Sequence, residues 1–387
     1  MYNTKIGEFC ATHDNWEELL SAEPYSILIK RKDGFVIFNY RQLDSDFTID
    51  LVRECRGIIF KEGTWEYPVC HAFDKFGNYG EAYVPDIDWP TVKVSEKIDG
   101  SIMKLWCYEG IWHVSTNGNI DAKDANVPDV RADNFADLFW EGIAKCMKHY
   151  PLGITGWLKD LNPSRTYIFE MVSPYTRVVI PYEQTNVFFL GARHNELNCQ
   201  YGCDEESAYM MNTQMFHRPR IYHINTVDDI IQAASALPWD EEGYVCYDKD
   251  FNRCKIKSPK YVMAHFSRNN NVITRWHLVD VILKGEMDEF KLYASDYKDQ
   301  IEYVKKLMDD FIYLMDDCAL ITRNLRKLDR AEAAEVIKKF HKLIQNIMFM
   351  NLDRHVSGRE YTYGWDTYKW ERTLEHFTKF LAQRGRE

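Results

Sequence analysis

Between residues 25 and 265, apolar and polar positions alternate or gather in short runs divided by turn residues. The runs YSILIK, GFVIFNY, CRGIIF, VKVSE, SIMKLWCY, IWHVST, TYIFEMVS, NVFFLGAR, EGYVCYD and CKIKS have the two-residue period or the compact apolar character of strands in packed sheets. One stretch differs. From Ala132 to His149 the apolar residues Phe135, Leu138, Phe139, Ile143 and Met147 recur at helical spacing, which predicts a helix with one buried face. After about residue 270 the pattern lengthens into helical periodicity with few Gly or Pro, from Trp276 through Leu328 to Leu381. The fold class is therefore read as α+β, with antiparallel sheets and flanking helices over residues 1–268 and an all-α C-terminal domain over 269–387.

Composition narrows the function classes. With 387 residues, 45% of them hydrophobic, the chain can bury two cores, which excludes disorder. A net charge of -11 argues against a protein that coats nucleic acid nonspecifically and leaves room only for a local basic cleft. Residues 286–317 carry ten acids against four lysines, whereas residues 321–387 carry fourteen Lys/Arg against nine acids. The basic tail reads either as a nucleic-acid face or as the solvated side of helices. Most of the 24 Tyr, 21 Phe and 11 Trp are assigned to cores, although such rings also stack on bases. The cysteines show no repeated spacing, and the close pair Cys199 and Cys203 lacks the second pair of ligands a zinc site needs, so reduced thiols are expected. The opening residues MYNTKIGEFCATHDNWEELL carry no basic-then-apolar leader, and no apolar run is long enough to span a bilayer. A cytoplasmic monomer with no membrane partner is the expectation.

Three pieces carry candidate chemistry. Glu96-Lys97-Ile98-Asp99-Gly100-Ser101 sets a lysine at the end of a strand-like segment, and the Asp-Gly turn is read as a hairpin that holds the amine for in-line attack on phosphorus. A lysine amine suits a covalent nitrogen-phosphorus intermediate. Lys255 and Lys257, two apart in a strand, point to one face. Two ammonium groups there repel unless an anion such as a polyphosphate joins them, the alternative being a solvated edge strand. Glu170 in TYIFEMV and Glu242 in EEGYV are carboxylates within apolar runs, suited to a metal, a reactive site or an ion pair. Glu241 adjoins Glu242, and the sequence does not say which of the two points inward. Magnesium takes oxygen ligands and arrives with phosphates, so such carboxylates and a triphosphate fit together. Arg56 beside Gly57, and Lys75 in DKFGN, suit phosphate oxygens, but on pattern alone they are ordinary surface charges.

Taken in order, ECRGIIF, KFGNYGE, EKIDGS, IFEMVSP, EEGYV and KIKSPKY resemble the ATP-dependent RNA ligases of the T-even phage RNA ligase 1 type, members of the covalent nucleotidyltransferase superfamily. The likeness covers roughly residues 35 to 265. It implies an adenylation domain in which Lys97 attacks the α-phosphate of ATP, the AMP passes to an RNA 5′-phosphate, and a 3′-hydroxyl then expels it. Carried over residue by residue, Arg56 and Lys75 contact the triphosphate, Glu170 contacts the ribose or a metal, Glu242 positions a metal, and Lys255 and Lys257 hold the α-phosphate. Tyr261 lines the site, Val245 and Phe189 flank adenine, and Glu96, Asp99 and Gly100 complete the nucleotide contacts. ATP with Mg2+, or Mn2+, is the implied cofactor set. The implied partners are single-stranded or nicked-loop RNA ends, tRNA among them, in RNA repair, with the helical domain selecting the substrate. One departure stands out. Where the family pattern has a basic residue before Gly, this chain reads Asn117-Gly118, and Asn117 can hydrogen-bond but supplies no charge. DNA ligases and capping enzymes follow the lysine motif with an OB-fold and a closing basic motif, and no Arg-x-Asp-Lys occurs here. The alternatives are a capping-type guanylyltransferase, which GTP and not ATP would label, and a non-catalytic RNA-binding descendant, which would form no adduct at Lys97.

Overall fold

The computed structural model describes residues 2–127, 133–149, 153–202, 215–267, 298–325 and 327–340, with isolated positions between 278 and 291 and between 345 and 352. Two compact units divide the chain, Met1–Ser295 and Asp296–Glu387. The sequence pattern changes earlier, after residue 268, and most positions between the two boundaries lie outside the described residues.

Among the described residues three antiparallel sheets build the first unit, in keeping with the α+β reading. The first has the order β1 (Leu28–Lys32), β2 (Phe35–Asn39), β3 (Arg56–Lys61). Its middle strand is apolar on both sides: Val36 and Phe38 join a core with Ile6, Leu20 and Val52, while Phe35 and Ile37 pack on Ile59, Val69 and Trp106. Two short helices absent from the sequence reading, Lys5–Thr12 and Trp16–Ser21, supply part of the first core. Thr4 caps the former by accepting the N–H of Gly7 at 3.2 Å.

The other two sheets bear the site. One has the order β6 (Ile111–Ser115), β5 (Ser101–Tyr108), β7 (Arg165–Val172), β8 (Asn186–His194), β9 (Cys199–Gly202). Met103, Leu105, Phe169, Met171 and Val187 form its core face, closed by the helices Phe135–Cys146 and Gly153–Asp160. The expected apolar stripe does this closing: Leu138, Phe139 and Ile143 are all buried in that core. The other sheet has the order β10 (Ile221–Tyr222), β4 (Lys93–Glu96), β11 (Gly243–Tyr247), β12 (Arg253–Lys257). Val94, Tyr244, Cys246, Cys254 and Ile256 are its core face, packed on Ile230 and Ala234 of the helix Val227–Ala236. Period-two alternation leaves Ser95, Val245, Lys255 and Lys257 on the opposite face.

The turn after Lys97 corrects the sequence reading. β4 pairs with β10 and β11, whereas β5 pairs with β6 and β7. Residues 97–100 are therefore no hairpin but the passage from one sheet to the other. An Asp-Gly pair marks a change of direction, and only long-range pairing decides which strand lies next door.

Among the described residues of the second unit the elements are the helices Lys298–Leu325 and Arg330–Ile337. Trp276, Leu381 and the basic side chains from residue 341 onward lie outside the described residues, as do Ala132 and Cys203. No described helix is long and apolar enough to cross a membrane.

Candidate active site

A cavity of about 500 Å³ is lined by the pocket-facing sides of these two sheets, in the range of small-ligand sites. Ten of the residues singled out in the sequence line it: Arg56, Lys75, Glu96, Lys97, Gly100, Asn117, Glu170, Val245, Lys255 and Lys257. Six cations, these four lysines with Arg56 and Arg253, face two lining carboxylates, Glu96 and Glu170. An acidic chain thus holds a concentrated basic cleft, the arrangement that attracts a polyanion.

Lys97 leaves β4 with its backbone N–H still donating to Gly243 O at 2.8 Å, so the sheet continues through it and fixes the amine. Its Nζ lies 2.8 Å from Glu242 Oε2, and Lys257 Nζ lies 3.4 Å from Glu242 Oε1. Glu242, only 5% exposed, is the inward member of the Glu241-Glu242 pair and sits behind the pocket wall, joining two of its cations. Gly243 allows this packing. Its φ is +137°, and a Cβ there would stand 2.3 Å from Ile256 O. Gly100 is also space-limited, since a Cβ would meet Met171 O at 2.4 Å.

Glu170 lines the facing wall on β7. Burial pushes its carboxyl up to about 8, with Glu242 and Asp99 adding to the rise and Lys97 and Arg56 opposing it. A cation brought beside it would reverse that shift. Among the described residues no three His, Cys, Asp or Glu side chains gather as a metal cage. The donor set suits a hard cation held by one or two carboxylates together with substrate phosphate, with Glu170 the cavity-lining donor and Glu242 behind it.

Three residues stand elsewhere than the sequence put them. Phe189 lies in the core with Tyr167, Phe169 and Phe216 and does not line the pocket. The cause is a bulge: Phe169 pairs Phe189 but Ile168 pairs Gly191, so Leu190 is the extra residue and lines the pocket in its place. Asp99 is buried and serves as an anchor. Its Oδ2 accepts the N–H groups of Val179 (3.0 Å) and Ile180 (2.8 Å), and its Oδ1 accepts the Tyr261 hydroxyl at 2.8 Å. Tyr261 does not line the cavity either, but its ring lies 5.8 Å from Lys257 Nζ.

A family model described as RNA ligase, of the phage T4 RNA ligase 1 type, matches residues 54–261, the stretch that contains every lining side chain named above. The chain belongs to this RNA ligase family. A relative from Autographa californica nuclear polyhedrosis virus, named as a bifunctional polynucleotide kinase/RNA ligase, is 30% identical over 283 residues, covering 69% of this chain and 39% of the relative. The chain therefore spans well under half the length of that viral protein. An RNA ligase of Rhodothermus phage RM378 is 28% identical over 341 residues, covering 73% of this chain and 75% of the phage protein. Among solved structures, an archaeal ATP-dependent RNA ligase is 14% identical with a TM-score of 0.47, over 97% of this chain and 89% of that one.

Sequence reasoning passed over several residues of this RNA ligase family member. Arg253 shares the β12 face of Lys255 and Lys257, and its guanidinium lies 4.2 Å from the Phe73 ring with Nη1 donating to Gln200. Burial draws it down to about 10, so it stays charged at neutral pH. The signal was available in its position two residues before Lys255. Phe76, over which Arg56 lies at 5.2 Å, and Tyr247 are lining aromatics on the same wall. Lys75 stands between Tyr40 (5.1 Å) and Phe47 (4.9 Å), and the Glu96 carboxylate is shared with Arg220 at 3.3 Å.

Proposed function

We propose that the chain is an ATP-dependent RNA ligase that joins a 5′-phosphate to a 3′-hydroxyl through AMP carried on Lys97. One observation carries the reading. The Lys97 amine lines a basic cavity and is held 2.8 Å from a buried carboxylate that also faces Lys257 at 3.4 Å.

In the first step Nζ bonds to the α-phosphorus of ATP, the bond from that phosphorus to its bridging oxygen breaks, and pyrophosphate leaves with the electron pair. The proton that Nζ must shed has an acceptor in Glu242. Lys255 and Lys257, on the sheet that carries Lys97, neutralise charge on the α-phosphate, while Arg56, Lys75 and Arg253 face the rest of the triphosphate. Glu170, with Glu242 behind it, would hold a divalent cation, which when bound adds positive charge beside the phosphates. Val245 and Leu190 offer apolar surface to the base. An RNA 5′-phosphate oxygen then attacks the same phosphorus and releases Nζ. Last, a 3′-hydroxyl attacks the 5′-phosphorus and AMP departs. Single-stranded or nicked-loop RNA, broken tRNA loops included, is the proposed substrate class.

Intact-mass spectrometry after incubation with ATP and magnesium tests this. Wild-type protein should gain one AMP and seal 5′-phosphorylated RNA, and Lys97→Ala should do neither while still folding and unfolding cooperatively. Sealing by that variant, or labelling by GTP in place of ATP, would overturn the assignment.

A further inference from the structure

Lys104 is fully buried on β5, and its ammonium donates to Gly57 O. Among the described residues no carboxylate pairs with it. Met103 and Leu105 on either side turn to the apolar core, whereas Lys104 shares the face of Ile102, which lines the cavity, so it lies one step below the pocket floor. An ammonium in such a place is costly to fold, and burial draws it down only to about 8, which leaves it mostly charged at neutral pH. An unpaired charge kept inside a protein asks for a counter-charge supplied by something else.

What it faces is specific. Gly57 has φ +75°, and a Cβ there would stand 2.7 Å from Lys104 Nζ, 2.6 Å from Asn117 O and 2.7 Å from Asn117 Cα. The amine, the Arg56-Gly57 backbone and Asn117 therefore converge on one point of the pocket wall. Arg56 and Asn117 both line the cavity, and each has a buried polar atom without a hydrogen-bond partner among the described residues, Arg56 Nε and Asn117 Oδ1. Asn117 stands where a cation would be expected to face the nucleotide and brings none. Lys104 stands directly behind it.

We propose that Lys104 is a positioning residue, whose buried ammonium supplies from beneath the wall the positive charge that Asn117 lacks and holds the Arg56-Gly57 segment so that Arg56 and Asn117 meet the phosphates of ATP. The inference rests on the nucleotide reading above. An anionic ligand at this wall becomes the counter-charge to its ammonium.

The test compares full-length wild type with Lys104→Met, Lys104→Gln and the double variant Lys104→Met/Asn117→Lys. It reads AMP-adduct formation against ATP concentration, ATP binding by calorimetry, and thermal unfolding. Lys104→Met should unfold no earlier than wild type, because it removes a buried charge, yet its KM and Kd for ATP should rise about tenfold or more. Lys104→Gln, which keeps a donor for Gly57 O but no charge, should show the same rise and decides the matter if the methionine variant folds poorly. Placing lysine at position 117 in the Lys104→Met background should recover most of the lost affinity, which a purely structural role would not allow. Unchanged KM and Kd in the glutamine variant, or no recovery in a folded double variant, would overturn the role of Lys104. Wild-type protein that takes up no AMP would overturn this inference and the ligase reading together.

Discussion

The three-stranded sheet and the four-stranded sheet solve opposite problems with the same alternation. In the first, both faces of β2 are apolar and its charges sit at the rim, where Arg31 pairs with Glu17 and Glu62 at 2.6 Å each. In the second, one face packs Val94, Cys246 and Ile256 into a core while the other carries Lys255, Lys257 and Arg253 into a cavity. Apart from Arg56, which opens β3 at the cavity, the first sheet is apolar wherever it is buried. The second keeps charges partly buried at some cost in stability, which marks the face that works.

Substitutions can break this contrast, and the largest effect belongs to the packing sheet. Phe38→Ala should destabilise by about 3–5 kcal/mol in denaturant unfolding while adenylylation per folded molecule stays at the wild-type level. A loss of specific activity in the folded fraction would show that the two sheets are not independent.

Glu242→Ala comes next. It leaves Lys97 and Lys257 facing each other across the vacated carboxylate, so a destabilisation of about 3 kcal/mol should accompany at least a hundredfold slower AMP uptake, roughly the scale of a lost general base. Stopped-flow or gel-based adduct assays check the second part.

Glu170 gives a pH signature. Its folded-state value of about 8 lies above the ordinary 4.5, so its contribution to stability is full below pH 4.5 and is lost as pH rises through 8. In metal-free buffer, Glu170→Gln should therefore flatten that decline and be the more stable form at pH 8. The smallest effect is at the rim. Arg31→Ala, despite two short ion pairs, should change stability by about 1 kcal/mol or less, and less still at high salt.

The strands of both site-bearing sheets were legible because each carries an apolar core face, and the Lys97 motif was legible because it is local. Long-range facts were not. The Lys97–Gly100 passage reads as a hairpin until the partners of β4 and β5 are known. The exchange of Leu190 for Phe189 follows from a single bulge that shifts the register of β8 against β7, which no period-two count reveals. Arg253 has no motif of its own to single it out, and Asp99 looked like a nucleotide contact when its three hydrogen bonds tie the turn to Val179, Ile180 and Tyr261. The helices Lys5–Thr12 and Trp16–Ser21 are too short for their period to stand out.

Because Lys97 continues β4 and bonds to Gly243, the proposed nucleophile, the carboxylate proposed to take its proton and Lys257 ride on one plate, while Glu170 belongs to the plate opposite. Breathing between the plates would leave the amine's surroundings intact and alter only how firmly the far wall grips. A nucleotide once attached would travel with the lysine plate, released from the carboxylate side without its bond being disturbed.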